Sequence, residues 1–210
     1  MSEPREGTLP AGTPSARVHE HAAAEGWTLA ADVPRTVGGP RYWSWQVGEG
    51  DGDGYVTLIE DHRTGLRLVE AEPEAFAERL AGELGLETLE ALLERARTAS
   101  AALDRMRAVQ ALAFRQFGLA RKAAVGAPED PDHPGCALLA DDVRLLEVFE
   151  RALDDPARGV RRAGVDGLVN SLWTGSLEIL RRRRDDLPEF EEFIDGRLNG
   201  EFPRLEKKPA

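Results

Sequence analysis

The segment at residues 145–172 constrains the fold of this chain more than any other stretch. Its sequence, LLEVFERALDDPARGVRRAGVDGLVNSL, carries an apolar helix up to Leu153 and then a turn formed by Asp154, Asp155 and Pro156. A proline suits the first turn of a helix, where its missing N–H has no partner to lose, and an aspartate can accept the exposed amides there. We therefore expect a second helix after this turn, capped by Asp154 or Asp155.

Mostly small residues occupy the positions of the second helix that can face inward. They are Val160, Ala163, Gly164, Gly167 and Leu168. With the preceding aspartate-proline turn and the Val160-Arg161 pair, this pattern resembles the HEAT repeat, in which small residues let the second helix pack tightly on the first. The resemblance covers residues 145–172 and implies a stack of helix pairs, because a single pair cannot bury its apolar face and about three units are the usual minimum.

Apolar residues at helical spacing predict two further helix pairs. The upstream pair spans residues 86–97 and 101–117, and the downstream pair spans residues 176–184 and 188–198. The sequence thus predicts three unequal helix pairs.

The residues before position 75 favour strands instead. In the stretch at 42–47, Trp43 and Trp45 alternate with polar residues and so share one sheet face, and residues 55–59 and 66–69 are rich in β-forming types. A helix at 15–24, closed by Gly26, leads into a further strand at 27–29. The helix at 73–84 is expected to cover one face of the sheet.

The predicted fold class is α+β, with an N-terminal helix and a small antiparallel β-meander followed by a mostly α-helical, HEAT-like bundle or short solenoid. The predicted boundaries are a disordered N-terminus at 1–14, the helix-plus-meander module at 15–72, the helical HEAT-like region at 73–202 and a disordered C-terminus at 203–210. A length of 210 residues allows either one domain or a sheet module fused to a helical one.

Composition excludes several classes of protein. No apolar run approaches the roughly 20 residues that a membrane helix needs, and the opening residues, with Glu3, Pro4 and Glu6, do not fit a signal peptide. Cys136 is the only cysteine, which excludes an internal disulfide and a zinc site built from cysteines. We expect a cytoplasmic protein without a membrane partner or a cofactor.

Acidic residues are concentrated in one part of the chain. The net charge is −11, and residues 47–96 hold 13 Asp or Glu against 4 Arg or Lys. The negative electrostatic field of such a segment repels nucleic-acid phosphates and favours a basic protein partner. Acidic surfaces also serve simply to keep proteins soluble. The predicted partner-binding residues are Glu49, Asp51, Asp53, Glu60, Asp61, Glu70, Glu72 and Glu74.

A local concentration of arginines gives an alternative site. The run at 181–184 covers more than one helical turn, so its members cannot share one face, and some must be solvated or paired with nearby aspartates. The remaining possibility is a groove that would suit an acidic peptide or a phosphate. Its predicted lining residues are Arg158, Arg161, Arg162 and Arg181.

Signals for catalysis are weak. His19 and His21 point about 200° apart on their helix, and the stretch around Asp51 and Asp53 lacks the later ligands of a calcium loop. The loop at 126–136 could hold a metal or a nucleophile, but its prolines and acids also describe an ordinary connection. Its candidate groups are Glu129, Asp130, Asp132, His133 and Cys136. No catalytic or metal-binding residues are predicted.

The sequence leaves three functions open. The absence of convergent catalytic motifs favours a binding module, in which an acidic surface engages a basic protein as an inhibitor or immunity-type protein would. A general adaptor scaffold fits the same residues. A small metal-dependent or hydrolytic enzyme would have to use His62 or the acids and His133 of the loop at 126–136.

Overall fold

The structure is a computed structural model that describes residues 5–35, 40–48, 54–61, 64–72, 74–126, 142–171 and 173–199. Within these residues the protein combines a five-stranded antiparallel sheet with helices, which confirms the predicted α+β class. The chain divides into two compact units, Met1–Ala91 (unit 1) and Leu92–Ala210 (unit 2).

Unit 1 contains the sheet. Its strands are β1 (Arg5–Thr8), β2 (Thr28–Val33), β3 (Arg41–Val47), β4 (Gly54–Asp61) and β5 (Leu66–Glu72), arranged in the order β1-β5-β4-β3-β2. Helix α1 (Ala16–Ala24) precedes β2, and helix α2 (Glu74–Leu84) follows β5. Gly26 follows the end of α1 with a φ of 69°, which confirms its predicted role in closing that helix.

The core of unit 1 lies between one sheet face and the two helices. Trp43 is in register with Leu58 and Val69, while Trp45 is in register with Val56 and Ala71, so both tryptophans project from the same face. Only 6% of Trp43 and 4% of Trp45 is exposed. The tryptophans join one buried cluster with residues of both helices. This confirms the predictions that Trp43 and Trp45 share one sheet face and that the helix after β5 covers a face of the sheet. The helical members are Val18, Ala22, Ala77, Leu80 and Leu84.

The N-terminus differs from the expectation of disorder over residues 1–14. Residues 5–8 form the edge strand β1, which pairs antiparallel with β5, and the next residue, Leu9, is buried. Thr8 also exchanges two backbone hydrogen bonds with Glu87, with N···O distances of 3.1 and 2.8 Å. A Cβ on Gly7 would lie 2.6 Å from Leu86 Cβ, so this short polar strand packs closely through its glycine. Backbone pairing orders the segment although its side chains are mostly polar.

Unit 2 is helical in its described part. Its helices are the end of α3 (Leu89–Thr98), then α4 (Ala102–Gly126), α5 (Val143–Ala152), α6 (Arg158–Val169), α7 (Thr174–Arg183) and α8 (Glu191–Leu198), with short 3₁₀ helices at Arg184–Asp186 and Pro188–Phe190. Helix α6 packs against α4, α5, α7 and α8 and therefore lies at the centre of this unit.

Helices α5 and α6 approach each other closely because two glycines face α5. A Cβ on Gly164 would lie 2.8 Å from the backbone oxygen of Phe149, and one on Gly167 would lie 2.7 Å from the Phe149 ring. Leu168 is fully buried, as predicted. The tight packing expected of the segment at 145–172 is confirmed for its described residues, which exclude Leu172.

The turn between α5 and α6 differs from the predicted helix cap. The N-cap residue of α6 is Ala157, and no side-chain oxygen caps this helix. The carboxylate of Asp155 instead accepts a hydrogen bond from the Ala157 N–H at 2.9 Å and is held by Arg105. Asp155 thus fixes the turn before the helix rather than the first-turn amides.

Candidate functional site

The net negative charge of the chain lies almost entirely in unit 1. Residues 1–91 contain 7 Arg or Lys against 17 Asp or Glu, a net charge of −10. Residues 92–210 contain 20 Arg or Lys against 21 Asp or Glu, a net charge of −1. The two units therefore differ in net charge: unit 1 is strongly acidic, and unit 2 is nearly neutral.

Two of the predicted acidic residues have partners within unit 1. Glu60 pairs with Arg67 at 2.8 Å between Oε1 and Nη2. Asp61 accepts a hydrogen bond from the hydroxyl of Thr64 at 2.6 Å. The first contact joins the end of β4 to the start of β5, and the second lies at the turn between these strands. The predicted residues Glu49, Asp51 and Asp53 lie outside the described residues.

Glu70 differs from its predicted role on an exposed face. Its side chain projects from the sheet face opposite the tryptophans, in register with Thr57, and only 8% of the residue is exposed. A carboxylate buried in this way is not available to a partner. Glu72, two residues further along the same strand, is exposed. Glu74 begins α2, and its side chain lies outside the description.

The helices of unit 1 add acidic groups that the sequence reasoning did not select. Exposed carboxylates lie on α1 or next to its end and on α2, and we call them the acidic helix layer. They are Glu20, Glu25, Glu78 and Glu83. Because both helices cover the same sheet face, these carboxylates lie on the helical side of unit 1. The charge balance of residues 47–96 included the α2 members but not those near α1.

The alternative arginine groove is largely used by contacts inside unit 2. Arg161 donates from Nε and Nη2 to Oε1 of Glu189 at 2.9 and 2.7 Å. This contact holds the pKa of the Glu189 carboxyl below its usual value. Arg162 donates to Asp166 at 3.0 Å, and its guanidinium lies 4.4 Å from the Phe193 ring centroid. The guanidinium of Arg158 lies 5.6 Å from the Phe190 ring centroid, and Arg181 is exposed on α7.

The other arginines of the run at 181–184 form ion pairs. This agrees with the prediction that some members of the run are solvated or paired. Arg182 donates to Glu150 at 2.6 Å, and Arg183 pairs with Asp154. Arg184 donates to Asp195 from Nε and Nη2 at 2.5 and 2.7 Å. These hydrogen bonds lower the pKa of Asp195 and raise the pKa values of Arg183 and Arg184.

A well-enclosed ion pair of unit 2 joins the start of α4 to the α5–α6 turn. Arg105 donates to Asp155 from Nε and Nη2, at 2.7 and 3.1 Å, and 18% and 10% of the two side chains are exposed. The Nη1 group of Arg105 donates to the carbonyls of Ala99 and Ser100 at 2.9 and 2.7 Å. The hydrogen bonds from Arg105 hold the pKa of the Asp155 carboxyl below its usual value. Sequence reasoning missed this pair because its members are 50 positions apart.

The two histidines of α1 contact different partners. The His19 ring lies 4.7 Å from the Trp43 ring and 5.1 Å from the Trp45 ring, measured between centroids. His21 Nε2 lies 3.3 Å from Glu83 Oε2. Among the residues that the structure describes, no three His, Cys, Asp or Glu side chains lie together as metal ligands would. The candidate groups of the loop at 126–136 and His62 fall outside those residues.

No family model, curated protein or solved structure matches this chain. Within the described part of the chain, none of the helices has the length and apolar composition needed to cross a bilayer.

Proposed function

We propose that this chain is a protein-binding module whose unit 1 engages a basic protein, as an inhibitor or immunity-type protein would. The observation that supports this proposal best is the separation of charge, with a net of −10 on unit 1 and −1 on unit 2. A field of one sign over a folded surface attracts a partner of the opposite sign and accelerates encounter.

The arrangement of the arginines supports the choice of unit 1 over unit 2. In unit 2, Arg161 and the run at 182–184 are held by nearby carboxylates, so that the two signs neutralise each other at short range. Among the described residues of unit 1, seven exposed residues are acidic and four are arginines. The long-range field of the protein therefore originates in unit 1.

We also propose that the helices of unit 2 are a short HEAT-like stack that serves as the scaffold of this module. Helix α6 packs on α5 through Gly164 and Gly167, and it also packs on α4 and α7. Contact with neighbours on more than one side is what a stacked helix pair needs in order to bury its apolar face.

The experiment compares two triple variants that change the net charge by the same amount. The unit 1 variant carries Glu20→Lys, Glu25→Lys and Glu72→Lys. The control variant carries Asp104→Lys, Glu178→Lys and Glu192→Lys, three exposed positions of unit 2. The partner is captured from the source cells at low and moderate salt, and its association rate is then measured for each variant.

We expect the unit 1 variant to slow association about tenfold at low salt and the control variant to change it by less than about twofold. The wild-type rate should also fall as salt rises, because the Debye length shrinks from about 10 Å at 0.1 M to about 3 Å at 1 M. Equal slowing by both variants would attribute the effect to net charge alone. An association rate that changes neither with salt concentration nor in either variant would exclude unit 1 as the binding surface.

The activity of the bound partner separates the inhibitor from the adaptor. An inhibitor forms a complex of fixed stoichiometry that abolishes the activity of the partner, whereas an adaptor leaves that activity intact. The assay is the activity of the captured protein titrated with this chain.

A further inference from the structure

Unit 2 contains an open cleft of about 380 Å³. It is bordered by the end of α3, the start of α4, the end of α5, the α5–α6 turn and the start of α6, and its apolar lining includes Val148, Ala152 and Val160. The charged residues of the lining are three arginines and two aspartates: Arg97, Arg105, Arg151, Asp154 and Asp155. A volume above roughly 300 Å³ is within the range of pockets that hold small molecules.

Both aspartates of the cleft are already paired with arginines. Asp155 is held by both donor edges of Arg105, and Asp154 is held by Arg183 from α7. Arg105 in turn has little left to offer a ligand, because four of its five N–H groups serve Asp155 and the carbonyls of Ala99 and Ser100. These contacts form a rigid wall rather than a binding group.

Two arginines of the cleft are not committed in this way. Arg97 Nη2 lies 3.8 Å from Glu147 Oε2, and the Glu147 side chain is 66% exposed. An ion pair of this length, open to solvent, contributes little to stability. Arg151 is exposed, and within the described residues no carboxylate lies within ion-pair distance of it. The cleft therefore keeps two positive charges beside its apolar lining residues, in a chain whose net charge is −11.

We propose that this cleft binds a small organic anion, a phosphate or carboxylate group attached to a short apolar body. The guanidinium groups of Arg97 and Arg151 would bind the anionic oxygens, since a planar guanidinium matches carboxylate and phosphate geometry. Val148, Ala152 and Val160 would cover the apolar body. The site lies within unit 2 and does not depend on the binding of a basic protein by unit 1.

The test is a titration of the ¹⁵N-labelled full chain with phenyl phosphate and with benzoate, followed by NMR, with benzyl alcohol as the neutral probe. We expect saturable shifts of the amides of Ala99 and Val148 and of the Arg97 and Arg151 side chains with at least one anion and none with the alcohol. The anion that binds more tightly identifies phosphate or carboxylate as the preferred group.

Three single variants assign the site. Arg97→Gln and Arg151→Gln should each weaken binding at least tenfold, equivalent to about 1.4 kcal/mol. Arg107→Gln, which removes an exposed arginine of α4 outside the cleft lining, should leave binding unchanged. Circular dichroism checks that each variant is folded.

Several outcomes would overturn the proposal. Absence of saturable shifts with both anions would show that Arg97 and Arg151 only complement the ends of their helices. Equal binding of benzyl alcohol would show a purely apolar crevice. Binding that persists in both cleft variants, or that falls equally in Arg107→Gln, would place the anion elsewhere or attribute it to overall charge.

Discussion

Gly164→Ala tests whether the separation of α5 and α6 is set by a glycine. The added Cβ would lie 2.8 Å from the backbone oxygen of Phe149 and 2.9 Å from Ala152 Cβ. Neither neighbour is the end of a flexible side chain, so the two helices would have to move apart. We expect an overpacking cost of about 1–3 kcal/mol, reduced by the gain of about 1 kcal/mol that alanine brings to a helix.

Gly82→Ala in α2 is the matched control. A Cβ at this position would have no heavy atom within 4 Å, so only the helix-propensity term applies. We therefore expect Gly82→Ala to stabilise unit 1 by up to about 1 kcal/mol and Gly164→Ala to destabilise unit 2 by up to about 2 kcal/mol. Gly164→Leu should destabilise unit 2 further, because its longer side chain meets the same backbone.

The assay is urea unfolding followed by far-UV circular dichroism, with the free energy of unfolding extrapolated to water. Opposite signs for the two alanine variants are the expected result. If Gly164→Ala stabilised the protein as much as Gly82→Ala, the close approach of α5 and α6 would not exist in solution, and the HEAT-like arrangement proposed for this segment would lose its physical basis.

Two further predictions concern a salt bridge and the tryptophan core. Because Arg105 lowers the pKa of folded Asp155, this contact stabilises the protein above the unfolded-state pKa of about 4, and the stabilisation is lost as the pH falls through the lowered value. Asp155→Asn should therefore lower Tm at pH 7, and the Tm difference from wild type should shrink towards acid pH; a difference independent of pH would contradict this. After Trp27 and Trp173 are replaced by phenylalanine, the remaining emission of the β3 tryptophans should be blue-shifted and poorly quenched by acrylamide, whereas red-shifted, readily quenched emission would place them on an exposed face.

Local patterns in the sequence were sufficient for most elements. Alternation predicted β3, and apolar spacing with an aspartate-proline turn predicted α5 and α6. These patterns succeed because burial imposes a period of two on a strand and of 3.6 on a helix, and each period is visible within a few residues. The small residues of α6 also predicted close packing, since Gly164 and Gly167 face α5.

Elements that depend on distant residues could not be predicted in this way. Strand β1 has the sequence REGT, with no apolar alternation, and it is ordered by backbone hydrogen bonds to β5 and by Leu86 packing on Gly7. The pair of Arg105 with Asp155 likewise joins residues 50 positions apart. Nothing in the local sequence around either member indicates the other.

The candidate acidic site shows the same division at the level of single residues. Counting charges located the acidic half of the chain, because net charge is a sum that does not depend on side-chain direction. It could not tell that Glu70 is buried while Glu72 is exposed, although both lie on the same face of β5. The difference comes from the cover over each position of that face, which the alternation of residues along a strand does not encode.

The arginine run at 181–184 illustrates how helix geometry changes the meaning of a charged segment. Consecutive residues of a helix point about 100° apart, so the side chains of the run leave in different directions. Arg182 reaches Glu150 of α5, Arg183 reaches Asp154 in the turn, and Arg184 reaches Asp195 of α8. The run suggested a phosphate site from its sequence, but its side chains connect three parts of unit 2. Its positive charges are balanced by the carboxylates with which they pair. Because this neutralisation leaves unit 2 with little long-range field, a basic partner approaching the protein would be drawn to unit 1, while a small anion in unit 2 would depend on the two uncommitted arginines of the cleft.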